Sequence, residues 1–417
     1  MKRAVVVICD SLRRDLVTPA DAPFLAGLAQ RATWFDAHRS VFPSTTRASA
    51  ASIATGCRPI RHGLHGNAMA LDEGDGLVSL SVGKPDFRDR MRRATGRTLQ
   101  VPTLAERLAQ QGLAAVAYSN VSPGAAYFLD PDAHGTVHHA AGSYGPQNAA
   151  VPALAVKKGA DGDAAMTERF CAEALRGASA LAMMWLSEPD YTGHQAPLGS
   201  PAHRHAIRAA DACVRRVAET VATLDPAGEK ILLLVGSDHG METVSRIVDV
   251  NALLIAAGLK AAPGSRDVVV APQGTSALLY FAEPDGETVG RVARFLETQD
   301  WVGQTYVGPA LAGIGMPTGG ALRIAISFAA DDAANPHGVR GASATMRDPE
   351  EPKDNMGFGQ HGGLATHEQQ PFLIATGGGF SPGRRATPSS LIDIAPTVLR
   401  HLGLPHEGME GAPLALV

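Results

Sequence analysis

Four short stretches concentrate side chains that bind divalent metals: Asp10, Asp190-Tyr191-Thr192-Gly193-His194, Gly236-Ser237-Asp238-His239-Gly240 and Gly359-Gln360-His361-Gly362-Gly363. Taken singly, an aspartate after a strand reads as a helix cap, and a histidine beside glycine reads as a surface residue. Together, three aspartates and three histidines make two oxygen-and-nitrogen ligand sets suited to borderline cations such as Zn(II) or Mn(II). A fifth stretch, Val41-Phe42-Pro43-Ser44-Thr45-Thr46-Arg47-Ala48-Ser49, puts a cluster of hydroxyls ahead of a helix of small residues. Backbone N–H groups and the positive end of that helix would face whatever sits at its start. A threonine hydroxyl is a poor nucleophile at neutral pH, and a divalent cation lowers its pKa. The chemistry these types and spacings suggest is metal-assisted attack by a threonine.

The elements that must position these residues follow from the apolar runs. Ala4 to Cys9 is a short apolar run ending at once in Asp10, and it reads as a buried parallel strand rather than a signal peptide. Helices are expected over Ala22 to Arg31, Thr46 to Thr55 closed by Gly56, Val101 to Gln111, Met166 to Leu175, His203 to Leu224 and Leu391 to Leu402. Strands are expected at Ala114 to Tyr118, Leu181 to Leu186, Ile231 to Val235 and Phe372 to Ala375. Helices alternating with apolar strands predict an α/β fold, a mostly parallel central sheet flanked by helices on both faces. Metal-type ligands then fall at the C-terminal ends of strands, where such sheets bind ligands. After Gly240 closely spaced strands surround one helix, which predicts a small α+β cap over 245–345 inserted into a catalytic domain of 1–244 and 346–417. Ala68 to Thr98 and Gly124 to Gly162 are expected to be long loops, with His134, His138 and His139 as surface residues.

Composition removes other function classes. A chain of 417 residues, 45% hydrophobic and with a net charge of −4, is long enough for a full core and too apolar for disorder. With 37 basic against 41 acidic residues, it has no cationic excess for a nucleic-acid duplex. The four cysteines, Cys9, Cys57, Cys171 and Cys213, lack metal or redox spacing and are expected as buried thiols. No apolar stretch approaches the roughly 18 residues of a membrane span. A soluble, cytoplasmic protein without a membrane partner is therefore the expectation; nothing in the residues indicates an oligomeric state.

The residues around the expected nucleophile resemble the alkaline phosphatase superfamily, and most of all its type I phosphodiesterase/nucleotide pyrophosphatase branch. That branch carries Phe-Pro-Thr-x-Thr, then Thr-Gly, His-Gly and Asn; here stand Phe42-Pro43-Ser44-Thr45-Thr46, Thr55-Gly56, His62-Gly63 and Asn67. The resemblance picks Thr46 rather than Thr45 as the nucleophile and implies a phosphothreonine intermediate. It implies one metal on Asp190, His194 and His361 and another on Asp10, Asp238, His239 and the Thr46 oxygen, most simply Zn(II), with Mn(II) as the alternative. Asn67 would donate to a phosphoryl oxygen. The implied substrate is a small phosphodiester or nucleotide pyrophosphate, with phosphonates as a variant.

The sequence also departs from its relatives. The residue after the nucleophile, usually apolar in phosphodiesterases, is Arg47, whose guanidinium could pair with a second substrate charge. The arginine position of sulfatases falls on Ala50. The lysines of phosphonoacetate hydrolases fall on Ser119-Asn120, leaving Lys157 and Lys158 to substitute from a loop. The alternatives on the same metal site are a phosphomonoesterase or a phosphomutase and, outside enzymes, an inactive metal-binding protein.

Overall fold

Every residue from Ala4 to Cys9 is buried in strand β1 (Arg3–Cys9), as a strand covered on both faces requires. In the computed structural model, which describes residues 1–283, 285–350 and 354–416, β1 lies in an eight-stranded sheet. Its partners are β2 (Thr33–Phe35), β3 (Ala115–Ser119), β4 (Thr136–His138), β5 (Leu181–Leu186), β6 (Ile231–Gly236), β7 (Leu373–Thr376) and β8 (Gly383–Arg385), in the order β8-β2-β7-β6-β1-β5-β3-β4. Neighbours pair in parallel except around β7, which runs antiparallel to both β6 and β2.

Helices cover both faces: α1 (Pro23–Arg31), α2 (Thr46–Thr55), α3 (Ala160–Arg169), α4 (Pro201–Leu224) and α5 (Ile394–Leu402). The pleat sorts β1 between two cores. Ala4, Val6 and Ile8 pack with Ala50 and Ile53 of α2 and Val398 of α5, while Val5, Val7 and Cys9 pack with Leu25 of α1, Met166 of α3 and Val214 of α4. Nine of the ten residues of α2 are buried, so only its Ala- and Ser-rich sequence lets it approach the sheet so closely. It stops at Gly56, whose φ of +66° is the left-handed cap that glycine adopts without strain. Helix α1 has no cap of its own; Asp211 of α4 accepts from Phe24 N and Leu25 N instead.

Two expectations need correction. The segment from Ala68 to Thr98 is not a loop: Ala68–Asp72 and Leu77–Ser81 form an antiparallel hairpin, followed by a helix, Phe87–Thr95. Its few apolar residues, among them Met69, Leu77, Phe87 and Met91, have periods too short to show in the sequence, and they find their partners in the distant insertion. Within Gly124 to Gly162, β4 closes the main sheet, and His138 and His139 are buried rather than at the surface. His138 stacks on Tyr118 at 4.3 Å, and the His139 ring bonds to the Val121 carbonyl.

The chain leaves and re-enters the α/β body through a parallel pair, Glu242–Val248 with Arg340–Met346. Between them Val268–Pro272, Ser276–Phe281, Val302–Val307 and Leu322–Phe328 form a four-stranded antiparallel sheet. One face of that sheet, with Val270, Leu279 and Ile326, buries the helix Gly286–Glu297. The other, with Ala271, Leu278 and Tyr280, shares a core with Phe42, Ala51 and the hairpin. All four cysteines are free and buried. Among the described residues no helix is long and apolar enough to cross a membrane.

Candidate active site

The strands end where the candidate ligands begin. Asp10 follows β1, Asp190 opens a single helical turn (Asp190–Gly193) after β5, and Asp238-His239 follows β6. Asp163 of α3 holds the turn after β5 by accepting from Ser187 N and Glu188 N. His361 follows the short strand Gly359–Gln360, which pairs with the first strand of the insertion. These elements gather two triads, Asp10 with Asp238 and His239, and Asp190 with His239 and His361. The ligand atoms within each triad lie within 4.8 Å of one another. His239 thus closes both. His194 reaches the second through Asp190, its Nε2 lying 3.4 Å from Asp190 Oδ1.

All three histidines present the same nitrogen. His194 Nδ1 lies 3.1 Å from the Gly359 carbonyl, His239 Nδ1 3.1 Å from Gly240 O and His361 Nδ1 2.7 Å from Ser44 O. A carbonyl only accepts, so each Nδ1 carries a proton, which leaves Nε2 as the nitrogen turned toward the site. Those Nε2 atoms face carboxylates: His361 at 3.5 Å from Asp190, and His239 at 3.0 Å from Asp238 and 3.6 Å from Asp10.

Charge in this cluster is unbalanced. Burial, then the charges of Asp238 and Asp190, push the Asp10 carboxyl well above the usual carboxylate range. Burial works against Asp190 too, but His194, His361 and His239 hold it below that range. Burial and the neighbouring His239 keep His361 well below its ordinary pKa, in the neutral form that a metal ion requires of an imidazole. Asp10 Oδ1 is buried without a hydrogen-bond partner. The buried carboxylates of Asp10 and Asp238, each with an orphan oxygen, the half-buried carboxylate of Asp190 and three imidazoles with Nε2 turned inward fit divalent cations.

Thr46 is the first residue of α2, and its Oγ1 lies 3.2 Å from His239 Nε2. It lines a cavity of about 840 Å³ together with Asp10, Asn67, Asp190, His194 and His361. Thr45 is wholly buried and its hydroxyl has no partner. Arg47 also borders the cavity, but its guanidinium donates to the Asn67 carbonyl at 2.8 Å and to Ser122 Oγ at 3.3 Å. Lys158 lines the same cavity. The buried Asn120 holds this loop through the Lys157 carbonyl.

One residue of the site carried no sequence signal beyond standing next to Asp10. Ser11 donates its N–H to Asp238 Oδ1 and its hydroxyl to Asp190 Oδ1, and so ties the two triads together.

The family model for type I phosphodiesterases/nucleotide pyrophosphatases matches residues 4–298. The chain belongs to this family. A type I phosphodiesterase is a metal-dependent hydrolase of phosphodiesters, and the resemblance of the motifs to the alkaline phosphatase superfamily is thereby borne out. Two solved structures of murine ectonucleotide pyrophosphatase/phosphodiesterase 5 share the fold of this phosphodiesterase. One is an inactive threonine-to-alanine variant in complex with AMP, with a TM-score of 0.70, and the other has a TM-score of 0.68. Each is 18% identical and aligns over 99% of this chain and 98% of its own. None of the curated proteins matches the chain.

Proposed function

We propose that this phosphodiesterase cleaves small phosphodiesters or nucleotide pyrophosphates, with phosphonates as related substrates, using Thr46 as a nucleophile beside two divalent metal ions. The observation that carries the reading is the placement of Thr46 Oγ1 at the head of α2, 3.2 Å from His239 Nε2 and on the wall of the same cavity as Asp10, Asp190 and His361. The cations, Zn(II) first and Mn(II) second, would be held by Asp190, His194 and His361 and by Asp10, Asp238, His239 and Thr46. His239 is close enough to serve both sets. When bound they supply positive charge that lowers the pKa of the hydroxyl and offsets charge on the phosphoryl group.

The chain's own residues do the rest. Thr46 Oγ1 loses its proton and attacks phosphorus in line with the leaving oxygen. The bond to that oxygen breaks, the leaving oxygen takes up a proton, and the phosphoryl group, still carrying its other ester group, remains on Thr46 as a phosphothreonine until water hydrolyses it. The positive end of α2 faces the phosphoryl oxygens. Asn67 donates its side-chain amide to one of them, and Arg47 acts on the substrate through the Asn67 carbonyl that it holds. The unit over 245–345 forms a cap beside the catalytic domain of 1–244 and 346–417. Two features of the murine structure support the reading: its inactive variant replaces a threonine, and it binds AMP.

The test is a panel of nitrophenyl esters, comprising diester, monoester, phenylphosphonate and sulfate, assayed with wild type and Thr46→Ala under Zn(II) and under Mn(II). The diester or the phosphonate should lead, and Thr46→Ala should lower turnover on the order of a thousandfold or more. A leading sulfate, or a Thr46→Ala protein with wild-type turnover, would overturn the assignment.

A further inference from the structure

The turn Gln273-Gly274-Thr275 joins strands Val268–Pro272 and Ser276–Phe281 and reaches the segments of Asn67 and His361. Gln273 is buried. Its Oε1 accepts from Asn67 N at 2.7 Å and its Nε2 donates to Ala68 O at 2.6 Å. One side-chain amide therefore spans the backbone torsions of both Asn67 and Ala68. On its other side, Thr275 N donates to the carbonyl of His361 at 3.2 Å.

Three glycines show how tightly the turn is seated. A Cβ on Gly66 would lie 2.1 Å from Gln273 Oε1, one on Gly362 would lie 1.7 Å from Gln273 O, and one on Gly274 would lie 2.2 Å from His361 O. None of these positions has room for a methyl group. Beneath the turn the buried carboxylate of Glu368 accepts from Thr275 Oγ1 at 2.5 Å, Gly362 N at 2.7 Å, Gly363 N at 2.8 Å and Ser44 Oγ at 3.2 Å. The turn is thus locked to the segment before Thr46 and to the loop of His361, while Gln273 alone holds the N–H of Asn67.

We infer that Gln273 is a positioning residue for phosphoryl transfer, reaching in from the insertion to set Asn67 at its working distance from Thr46. The inference rests on the reading of Asn67 as a donor to the phosphoryl oxygen. Arg47 and Val82 N both bond the Asn67 carbonyl, so without Gln273 the residue is held at one end only and can pivot. A displacement of about 1 Å at such a donor costs on the order of a hundredfold in rate.

The experiment is a double-mutant cycle on kcat with the metal-loaded full chain: Asn67→Ala, Gln273→Met and the two together, with Gly66→Ala as a second way of displacing the Gln273 side chain. Gln273→Met keeps the volume and removes both hydrogen bonds. Expected are a kcat lowered about 10- to 100-fold in Gln273→Met, a similar loss in Gly66→Ala, and a double variant no slower than Asn67→Ala alone. A side chain that merely supports the fold would lower the melting temperature and multiply its effect onto Asn67→Ala. Independent, multiplying losses, or wild-type kcat in a folded Gln273→Met or Gly66→Ala protein, overturn the inference alone. Wild-type kcat in Asn67→Ala overturns the reading of Asn67 and the inference with it.

Discussion

Ser11 has a φ of +64°, a left-handed conformation that costs a non-glycine residue on the order of 1 kcal/mol or more. What holds it there is its pair of bonds to Asp238 and Asp190, so local strain is exchanged for the orientation of two candidate ligands that follow different strands. Ser11→Ala keeps the backbone donor to Asp238 and loses the hydroxyl donor to Asp190. Metal affinity should fall about 10- to 100-fold, the range found when a partner that orients a ligand is lost. Titration of the metal-stripped protein with Zn(II) checks it; unchanged affinity would make the hydroxyl irrelevant to metal binding. At the same scale, sequence alone allowed either Thr45 or Thr46 to attack, and only the resemblance chose between them. Thr45 is wholly buried, whereas Thr46 lines the cavity.

The strand Glu242–Val248, by which the chain enters the insertion, begins with a buried carboxylate whose Oε2 has no hydrogen-bond partner. Burial, then the charge of Glu368, pushes the Glu242 carboxyl up to about 8, against the counter-effects of the His367 N–H and Arg13. A carboxyl raised in the folded state keeps its proton where the unfolded chain, with a value near about 4.3, has lost it. Its contribution to stability is therefore fully present below the unfolded value and is lost as pH rises through about 8. Glu242→Gln is neutral in both states, so the fall in denaturation midpoint between pH 5 and pH 8 should be shallower than in wild type. Urea titrations at those two pH values measure it, and parallel curves would show that Glu242 ionises normally. The hairpin Ala68–Asp72 with Leu77–Ser81 belongs to this scale as well: its strands are short, and they gain their buried face in a core shared with Phe42, Phe128, Val269 and Leu278.

Across the whole molecule, the candidate metal site lies where three strand ends of the α/β sheet meet the loop of His361. Asp10, Asp190 and Asp238 are negative groups enclosed together, and burial makes their mutual repulsion expensive without a cation. Chelation should therefore abolish turnover and also lower the melting temperature, and Zn(II) or Mn(II) should restore both. Thr46→Ala, which leaves the aspartates and histidines in place, should show most of the same thermal shift although it does not turn over. Differential scanning of stripped and reloaded protein tests this; a melting temperature indifferent to metal would remove the ion from the folded state's energetics. The strands between 268 and 328 are built into the molecule, because Phe42 and Ala51 share a core with Ala271 and Tyr280.

Local features of the sequence determined the parts of this protein that depend on near neighbours. The buried runs of β1, β5 and β6, the limits of α2 with its Gly56 stop, and the kinds of ligand at the strand ends all follow from periodicity, capping and side-chain chemistry within a few residues. The order of the sheet decided the rest, since it brings together residues that are far apart in the chain. His239 closing both triads, Ser11 bridging from β1 to Asp238, and Gln273 bonding to Asn67 across 206 positions leave no mark on spacing or composition. The burial of His138 and His139 was hidden for the same reason, because an edge strand of three residues is too short to show a period and acquires its partner only when the sheet forms.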